Sequence, residues 1–264
     1  MVPVSLYDTL YVTPTQTEGI SFDVQFEGRI AKLNSAYGGD VPIGKENLVV
    51  QAAEALAREA GIKSGLEIYL KKQIPSGAGL GGGSSDAAAV IQAAADAWQL
   101  NWSVEQLAYV GARLGSDIPW FFTQRPATVI GRGEQVHHSE SINSFAAVIV
   151  KPAVSLSTAL VYKNCQPDAS RQGEAFQLGN VLRSGLHGAI PLMHNALQQS
   201  ACSLTPEIDQ LLSDFRRAGG LHPMLTGSGS ACFTITRTWA EAKHISGRME
   251  SMGWPAVFPV RLCK

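Results

Sequence analysis

The stretch Pro75-Ser-Gly-Ala-Gly-Leu-Gly-Gly-Gly-Ser-Ser-Asp-Ala-Ala-Ala89 decides how the rest of the chain is read. Five of the seven residues from Gly77 to Gly83 are glycine. Such a run is no helix interior, because each glycine there costs about 1 kcal/mol against alanine. Without side chains, the backbone can wrap its amides round an anion. The alanine-rich segment that follows sets a helix N-terminus at the same spot, with unpaired N–H groups and a partial positive charge. Ser84 and Ser85 add hydroxyls able to bind a phosphate oxygen or a magnesium ion. The other reading is a flexible turn, or helix–sheet packing too close for any Cβ.

Two familiar phosphate loops can be set aside. A Walker loop needs Gly-Lys-Ser/Thr, and here Gly82 is followed by Gly83. Gly77, Gly79 and Gly82 do spell GxGxxG, but a dinucleotide fold continues into a strand ending in an acidic residue about 20 positions on. Asn101-Trp102 instead leads into a second helix, opened by Ser103 with Gln106 at capping-box spacing.

Outward from the loop, 5–13, Ser21–Phe26, Gly65–Ile74, 127–131, 145–151, Ala231–Thr236 and a C-terminal segment read as strands. A loop with Gly38, Gly39, Pro42 and Gly44 precedes a helix from Asn47 to Ala60, whose Leu48, Ala52, Ala55 and Leu56 recur at helical spacing and which Gly61 stops. The helix after the glycine loop runs to about Leu100. Lys151-Pro152 reads as a domain boundary, dividing 1–150 from 151–264, and 155–220 is largely helical. Thr205 caps a helix with Pro206 at its first position, a buried stripe of Ile208, Leu211, Leu212 and Phe215, and Gly219-Gly220 at its end. Thr238, with Glu241 three residues on, caps another. His137-His138 reads as a solvated loop, since neighbours on a strand would face opposite ways and no third metal ligand has recognisable spacing. The prediction is an α+β protein with two lobes.

Composition narrows the class. Of 264 residues, 45% are hydrophobic and only 16% charged, against a usual charged share of roughly 25%. Disordered chains are polar and highly charged, so disorder is excluded. A net charge of −1 gives no electrostatic reason to bind nucleic acid. No apolar run is long enough for a membrane span. With no leader pattern and four scattered cysteines (Cys165, Cys202, Cys232, Cys263), a cytoplasmic location with reduced thiols is expected.

The glycine loop resembles the second motif of the GHMP kinases (galactokinase, homoserine, mevalonate and phosphomevalonate kinases). Other matches follow in order: Ser5-Leu-Tyr-Asp8, Glu46-Asn-Leu-Val49, Leu114-Gly-Ser-Asp-Ile-Pro-Trp-Phe121, Gly131-Arg-Gly-Glu134, Lys151-Pro-Ala-Val-Ser-Leu-Ser-Thr158, His194-Asn-Ala-Leu197 and Leu225-Thr-Gly-Ser-Gly-Ser-Ala-Cys-Phe233. The triple glycine before Ser-Ser-Asp-Ala-Ala is similar to the branch that phosphorylates a cytidine diphosphate-linked methylerythritol on the non-mevalonate route to isoprenoids. The resemblance implies an N-terminal lobe like domain 2 of ribosomal protein S5 and a ferredoxin-like C-terminal α/β sandwich. It implies an ATP- and Mg²⁺-dependent small-molecule kinase, monomeric or weakly dimeric. A non-catalytic nucleotide-binding homologue, and a kinase of other specificity such as homoserine kinase, remain alternatives.

Residue by residue, the resemblance assigns ATP binding to Pro75, Gly77, Ala78, Gly79, Leu80, Gly81, Gly82, Gly83, Ser84 and Ser85. Ser84 is also the magnesium candidate. It adds Asn47 and Lys72 at the adenine pocket, and Gly227, Ser228 and Gly229 of a second glycine loop. Asp117 becomes the catalytic carboxylate, with a cap or Asx turn before Pro119 as the other reading. Thr158 and Tyr162 fall where cytidine contacts lie. The first motif, a Lys-Asn strand followed by Asp-Gly-Tyr-His, is not found ahead of Ser5. Ala31-Lys32-Leu33-Asn34 spells part of it out of order and reads as coincidence. The expectation is therefore a chain shortened at its N-terminus, less active and less stable.

Overall fold

The computed structural model describes residues 1–33, 37, 40–139, 142–166, 169–171 and 173–263. Two sheets organise it. In the first, β3 (Gly65–Lys72) lies between β1 (Thr9–Thr15), antiparallel to it, and β2 (Ile20–Phe26), parallel to it. Side chains alternate across a strand, so Leu66, Ile68, Leu70 and Lys72 of β3 all face inward and are buried. That alternation puts a lysine in an otherwise apolar row.

Helices α1 (Leu48–Ala60), α2 (Gly82–Ala97), α3 (Val104–Ala112) and the short α4 (Ile118–Phe121) form the core of this lobe with the sheet. Alanines let α1 and α2 approach closely: Ala52, Ala53, Ala87, Ala88 and Ala94 are all buried. The predicted stop at Gly61, at φ 67°, and the capping box of Ser103 and Gln106 on α3 are present. Asn47, read as the first helical residue, is instead the cap of α1 and accepts from the Val49 amide.

A hairpin of β4 (Ala127–Ile130) and β5 (Gln135–His138) follows. His137 and His138 therefore sit on a strand, which corrects the loop reading: the turn at Gly131-Arg132-Gly133-Glu134 reverses the chain, and the His137 ring packs edge-on against Phe176 at 5.5 Å. The second sheet is antiparallel, in the order β7 (Leu221–Leu225), β8 (Cys232–Thr236), β6 (Ala146–Val150), β9 (Val257–Arg261). Its cover includes α5 (Thr158–Lys163), α6 (Glu174–Val181), α7 (Leu186–Ala189), α8 (Gln198–Leu204), α9 (Pro206–Arg217) and α10 (Trp239–Ser251). On one face Val148 and Val150 meet Ile208, Leu211, Leu212 and Phe215 of α9 and Ile245 and Met249 of α10. The predicted stripe of α9 is buried throughout. On the other face Ala147, Ile149, Phe258 and Val260 pack with Ile30 and Ala78 of the first lobe. Ala78 belongs to the glycine loop, so the loop is anchored in the core between the lobes.

The two-lobed α+β architecture is as predicted. The first strand is shorter than the reading of 5–13. Residues 4–8 instead run past the second sheet, where Val4 bridges Leu262 and Ser5 N–H donates to the Arg261 carbonyl. Ile30–Lys32 forms a 3-10 turn, while Asn34, Gly38 and Gly39 lie outside the described residues. The four cysteines form no disulfide.

Candidate active site

Pro75 to Gly81 leave β3 as an open loop, with Gly77, Gly79 and Gly81 at φ 61°, 70° and 69°. These left-handed conformations suit glycine alone, which accounts for the alternating glycines. Gly81 is the N-cap of α2, and the Ser85 amide already bonds back to the Gly81 carbonyl at 2.9 Å. The amides of Gly82, Gly83 and Ser84 belong to the first turn, which has no carbonyl above it. They point their partial positive charge at the loop. A Cβ at Gly83 would meet nothing within 4 Å, so this face is open. Ser85 spends its hydroxyl on the Gly82 carbonyl at 2.7 Å, whereas the Ser84 hydroxyl has no partner among the described residues.

The second glycine loop closes on the first. A Cβ at Gly79 would overlap the Thr226 carbonyl and come within 2.9 Å of the Gly229 amide nitrogen. Thr226 Oγ1 donates to the Gly79 carbonyl at 2.9 Å, Ser230 N–H to Gly77 and Ala231 N–H to Ala78, both at 3.2 Å. Asn195 steadies this loop from behind, donating to the Leu225 and Gly227 carbonyls at 2.9 and 2.8 Å. Lys151 contributes from the end of β6. Fully buried, its ammonium donates to the Pro152 and Val154 carbonyls at 2.7 and 3.1 Å. The Val154 carbonyl also accepts from Ser230 Oγ. Burial pushes the Lys151 pKa down to about 8, against a smaller raising effect of Glu207.

A cleft of about 330 Å³ runs from this loop to an apolar slot formed by Val41, Pro42, Leu48, Val49 and Leu70. Pro75, the loop from Gly77 to Ser84, Asn47 and Lys72 all line it. Yet the polar atoms of Asn47 and Lys72 are committed to the protein. Asn47 accepts from Val49 and donates to the Pro42 carbonyl at 2.6 Å. Lys72 is only 3% exposed and its ammonium is paired with both Asp8 and Asp86, the latter at 2.7 Å. Asp8 Oδ1 also accepts from the Gln73 and Ile74 amides at 2.6 and 2.9 Å. Burial acts to lower the Lys72 pKa, but the carboxylates of Asp86 and Asp8 outweigh it and raise it. For Asp86, burial is the largest effect and lifts its pKa; Lys72 opposes, Asp8 adds, and the result is about 7.

Asp117 lies at the start of α4, where its side chain makes no capping bond. The cap reading is therefore not what the structure shows. The carboxylate is exposed and has no hydrogen-bond or ionic partner among the described residues. Gly133 of the β4–β5 turn sits against it: a Cβ there would lie 3.0 Å from Asp117 Oδ1. At the other end of α4 the Phe121 ring abuts Gly81, so this one helical turn joins Asp117 to the phosphate loop. Asp117 is not part of the cleft wall. Thr158 bonds Ser228 Oγ at 2.9 Å, which brings α5 to the second loop. Tyr162, one turn further on, is 62% exposed, and its hydroxyl has no hydrogen-bond partner among the described residues. Asp8, Asp86, Lys151 and Asn195 were not singled out for the site by the sequence. The inward place of Lys72 in the β3 alternation was the one available signal for the buried ion cluster.

Two glycine loops clamped over a helix N-terminus, beside an apolar slot and an unpaired carboxylate, define a small-molecule kinase. The chain belongs to the GHMP kinase family: residues 47–124 match the GHMP kinases N terminal domain and 179–253 the GHMP kinases C terminal domain. It is 34% identical over 250 residues to the 4-diphosphocytidyl-2-C-methyl-D-erythritol kinase of Pelotomaculum thermopropionicum, covering 94% of this chain and 83% of that one. To the enzyme of the same name from Rhodopirellula baltica it is 35% identical, covering 100% of this chain and 87% of the relative. A crystal structure of 4-(cytidine 5'-diphospho)-2C-methyl-D-erythritol kinase superposes with a TM-score of 0.78 at 30% identity, covering 100% of this chain and 88% of that one. The homoserine kinase of Cytophaga hutchinsonii shares the fold, with a TM-score of 0.73 at 18% identity, covering 100% of this chain and 88% of that one. Among the described residues no helix is long and apolar enough to cross a membrane.

Proposed function

We propose that the chain transfers the γ-phosphate of ATP to the 2-hydroxyl of 4-diphosphocytidyl-2-C-methyl-D-erythritol. The observation that carries this reading is the match, at 34–35% identity over 94–100% of the chain, to relatives named for that substrate. In this reading the apolar slot takes the adenine, and the amides of the loop from Gly77 to Ser84 take the phosphates. The second loop, with Gly227, Ser228 and Gly229, closes the cradle. Phosphoryl transfer to an alcohol is mostly positioning and charge stabilisation, so the protein has little covalent chemistry to supply. Asp117 has a free carboxylate to accept the hydroxyl proton as the oxygen attacks. Thr158 borders the second loop on the acceptor side, and the exposed Tyr162 ring offers a face for stacking on the cytosine.

Magnesium fits this cradle as an ion carried by the nucleotide. The described residues contain no group of three or more His, Cys, Asp or Glu to cage a metal, and the unpartnered Ser84 hydroxyl is the donor at hand. When bound, the ion would neutralise phosphate charge. An ADP-release assay with the cytidyl substrate tests the reading, with homoserine as the rival acceptor. ADP release is expected with the cytidyl compound alone. Turnover of homoserine, or nucleotide binding without turnover of either acceptor, would replace it.

A further inference from the structure

The ion cluster below the phosphate loop has a geometry that an adenine contact does not need. Lys72 enters from β3, Asp8 from the segment ahead of β1, and Asp86 from the second turn of α2. All three are almost wholly buried, and two carboxyl groups face one ammonium. A Cβ at Gly82 would lie 3.2 Å from Lys72 Nζ, so the ammonium sits directly behind a peptide of the phosphate cradle. Lys72 and Asp86 both border the cleft. After burial, Lys72 and Asp8 are the groups that act most strongly on Asp86. A fixed charge in a dry setting acts on an anion a few ångströms away far more strongly than one in water.

We propose that Asp8, Lys72 and Asp86 form a positioning triad that sets the charge beneath the phosphate loop, with Lys72 acting on the phosphates of the nucleotide through Gly82 and not on its base. The inference rests on the reading of the glycine loop as a nucleotide-phosphate site. Lys72 is the cationic member nearest the loop. The two carboxylates fix its position, with Asp8 further held by the Gln73 and Ile74 amides, and also temper its charge. Two changes to the triad should then move phosphate affinity in opposite directions. Neither should move affinity for the nucleoside, which carries no phosphate.

The test is the ratio of dissociation constants for magnesium–ADP and adenosine, measured by calorimetry on the full chain. In Lys72→Met the two carboxylates are left without their counter-charge, and ADP should weaken about tenfold or more relative to adenosine. In Asp8→Asn one negative charge is gone while an acceptor for the Gln73 and Ile74 amides is kept, and ADP should tighten about threefold relative to adenosine. A purely structural role would weaken both ligands together and could not produce the gain. If adenosine and ADP shift in parallel in both variants, or if Lys72→Met costs adenosine binding selectively, the inference is overturned. If Lys72→Met does not fold, the sign of the Asp8→Asn shift decides alone. Failure of the unaltered chain to bind magnesium–ADP at all would instead remove the phosphate-site reading, and the inference with it.

Discussion

Substituting Gly79 by alanine tests the loop-to-loop clamp at its tightest point. Gly79 has φ 70°, and an alanine forced into that region costs about 1–2 kcal/mol. Its methyl group would overlap the Thr226 carbonyl and press on the Gly229 amide, both of them backbone, so no side chain can swing away. The second loop must retreat. The bonds at risk are Thr226 Oγ1 to Gly79, Ser230 N–H to Gly77 and Ala231 N–H to Ala78. At about 1 kcal/mol net for each hydrogen bond, their loss together with the strain comes to about 4–5 kcal/mol, and partial relaxation would bring it nearer 3. For a chain of this size about 3 kcal/mol corresponds to roughly 6–12 °C in Tm. Thermal unfolding of Gly79→Ala beside Gly83→Ala gives the comparison. Gly83 has open space around its Cβ position and lies inside the helix, so alanine there should leave Tm unchanged or raise it slightly. Magnesium–ADP binding by Gly79→Ala should weaken by at least about tenfold, since each 1.4 kcal/mol lost from the cradle is a factor of ten. A Gly79→Ala chain that melts with the parent and binds ADP equally well would refute the clamp.

Three further outcomes are expected. Asp117→Asn should lower kcat by about 10²–10⁴-fold, because the amide cannot accept the hydroxyl proton. Its ADP affinity should stay within about twofold, since Asp117 is no part of the cleft wall; a large loss of ADP affinity would contradict the assignment. Lys151 has a folded pKa of about 8, below lysine's 10.5, so between these values the unfolded chain binds more protons and stability rises with pH. Denaturant titrations at pH 7.5, 9 and 10 should show that rise, and Lys151→Met should flatten it. Asp214 is buried; burial acts to raise its pKa, but bonds from Arg217, Gln210 and Trp254 outweigh this and hold it below the usual carboxylate value. Stability from this group is present above pH 3.8 and is lost as pH falls through the lower folded value. Asp214→Ala should cost about 2–3 kcal/mol at pH 7, measured by urea unfolding, by leaving Trp254 Nε1 and Gln210 without their acceptor.

What the sequence revealed was local, and the reasons are physical. Caps are read from adjacent residues, so Ser103, Thr205 and Thr238 could be placed before any tertiary contact was known. The α9 stripe obeys a 3.6-residue period that burial enforces. The five glycines announced an unusual backbone, and three of them adopt φ values that only glycine tolerates freely. Other features depend on partners far away in the chain. The first strand starts at Thr9 and not at Ser5 because Ser5 pairs with Arg261, 256 positions on. His137-His138 became a strand because its partner, β4, lies across a four-residue turn that carries little apolar signal. The family resemblance set Asn47 and Lys72 at an adenine pocket; both line the cleft, and only the structure shows that their polar ends serve the protein. The family resemblance supplied Asp117, since a lone Gly-Ser-Asp-Ile-Pro segment looks like a helix start. Tyr162 remains an exposed ring whose place near the acceptor depends on the resemblance.

The hydrogen bond from Thr226 to Gly79 spans 147 positions of sequence. The first glycine loop leaves the ribosome long before the second exists. A nascent chain that has completed the first sheet and its helices still has only half of the cradle. Nucleotide therefore cannot template the early steps of folding and can engage only after the two lobes have docked. Bound ADP should accordingly protect amides of both lobes from hydrogen exchange together, even those far from the ligand, because opening either lobe releases it.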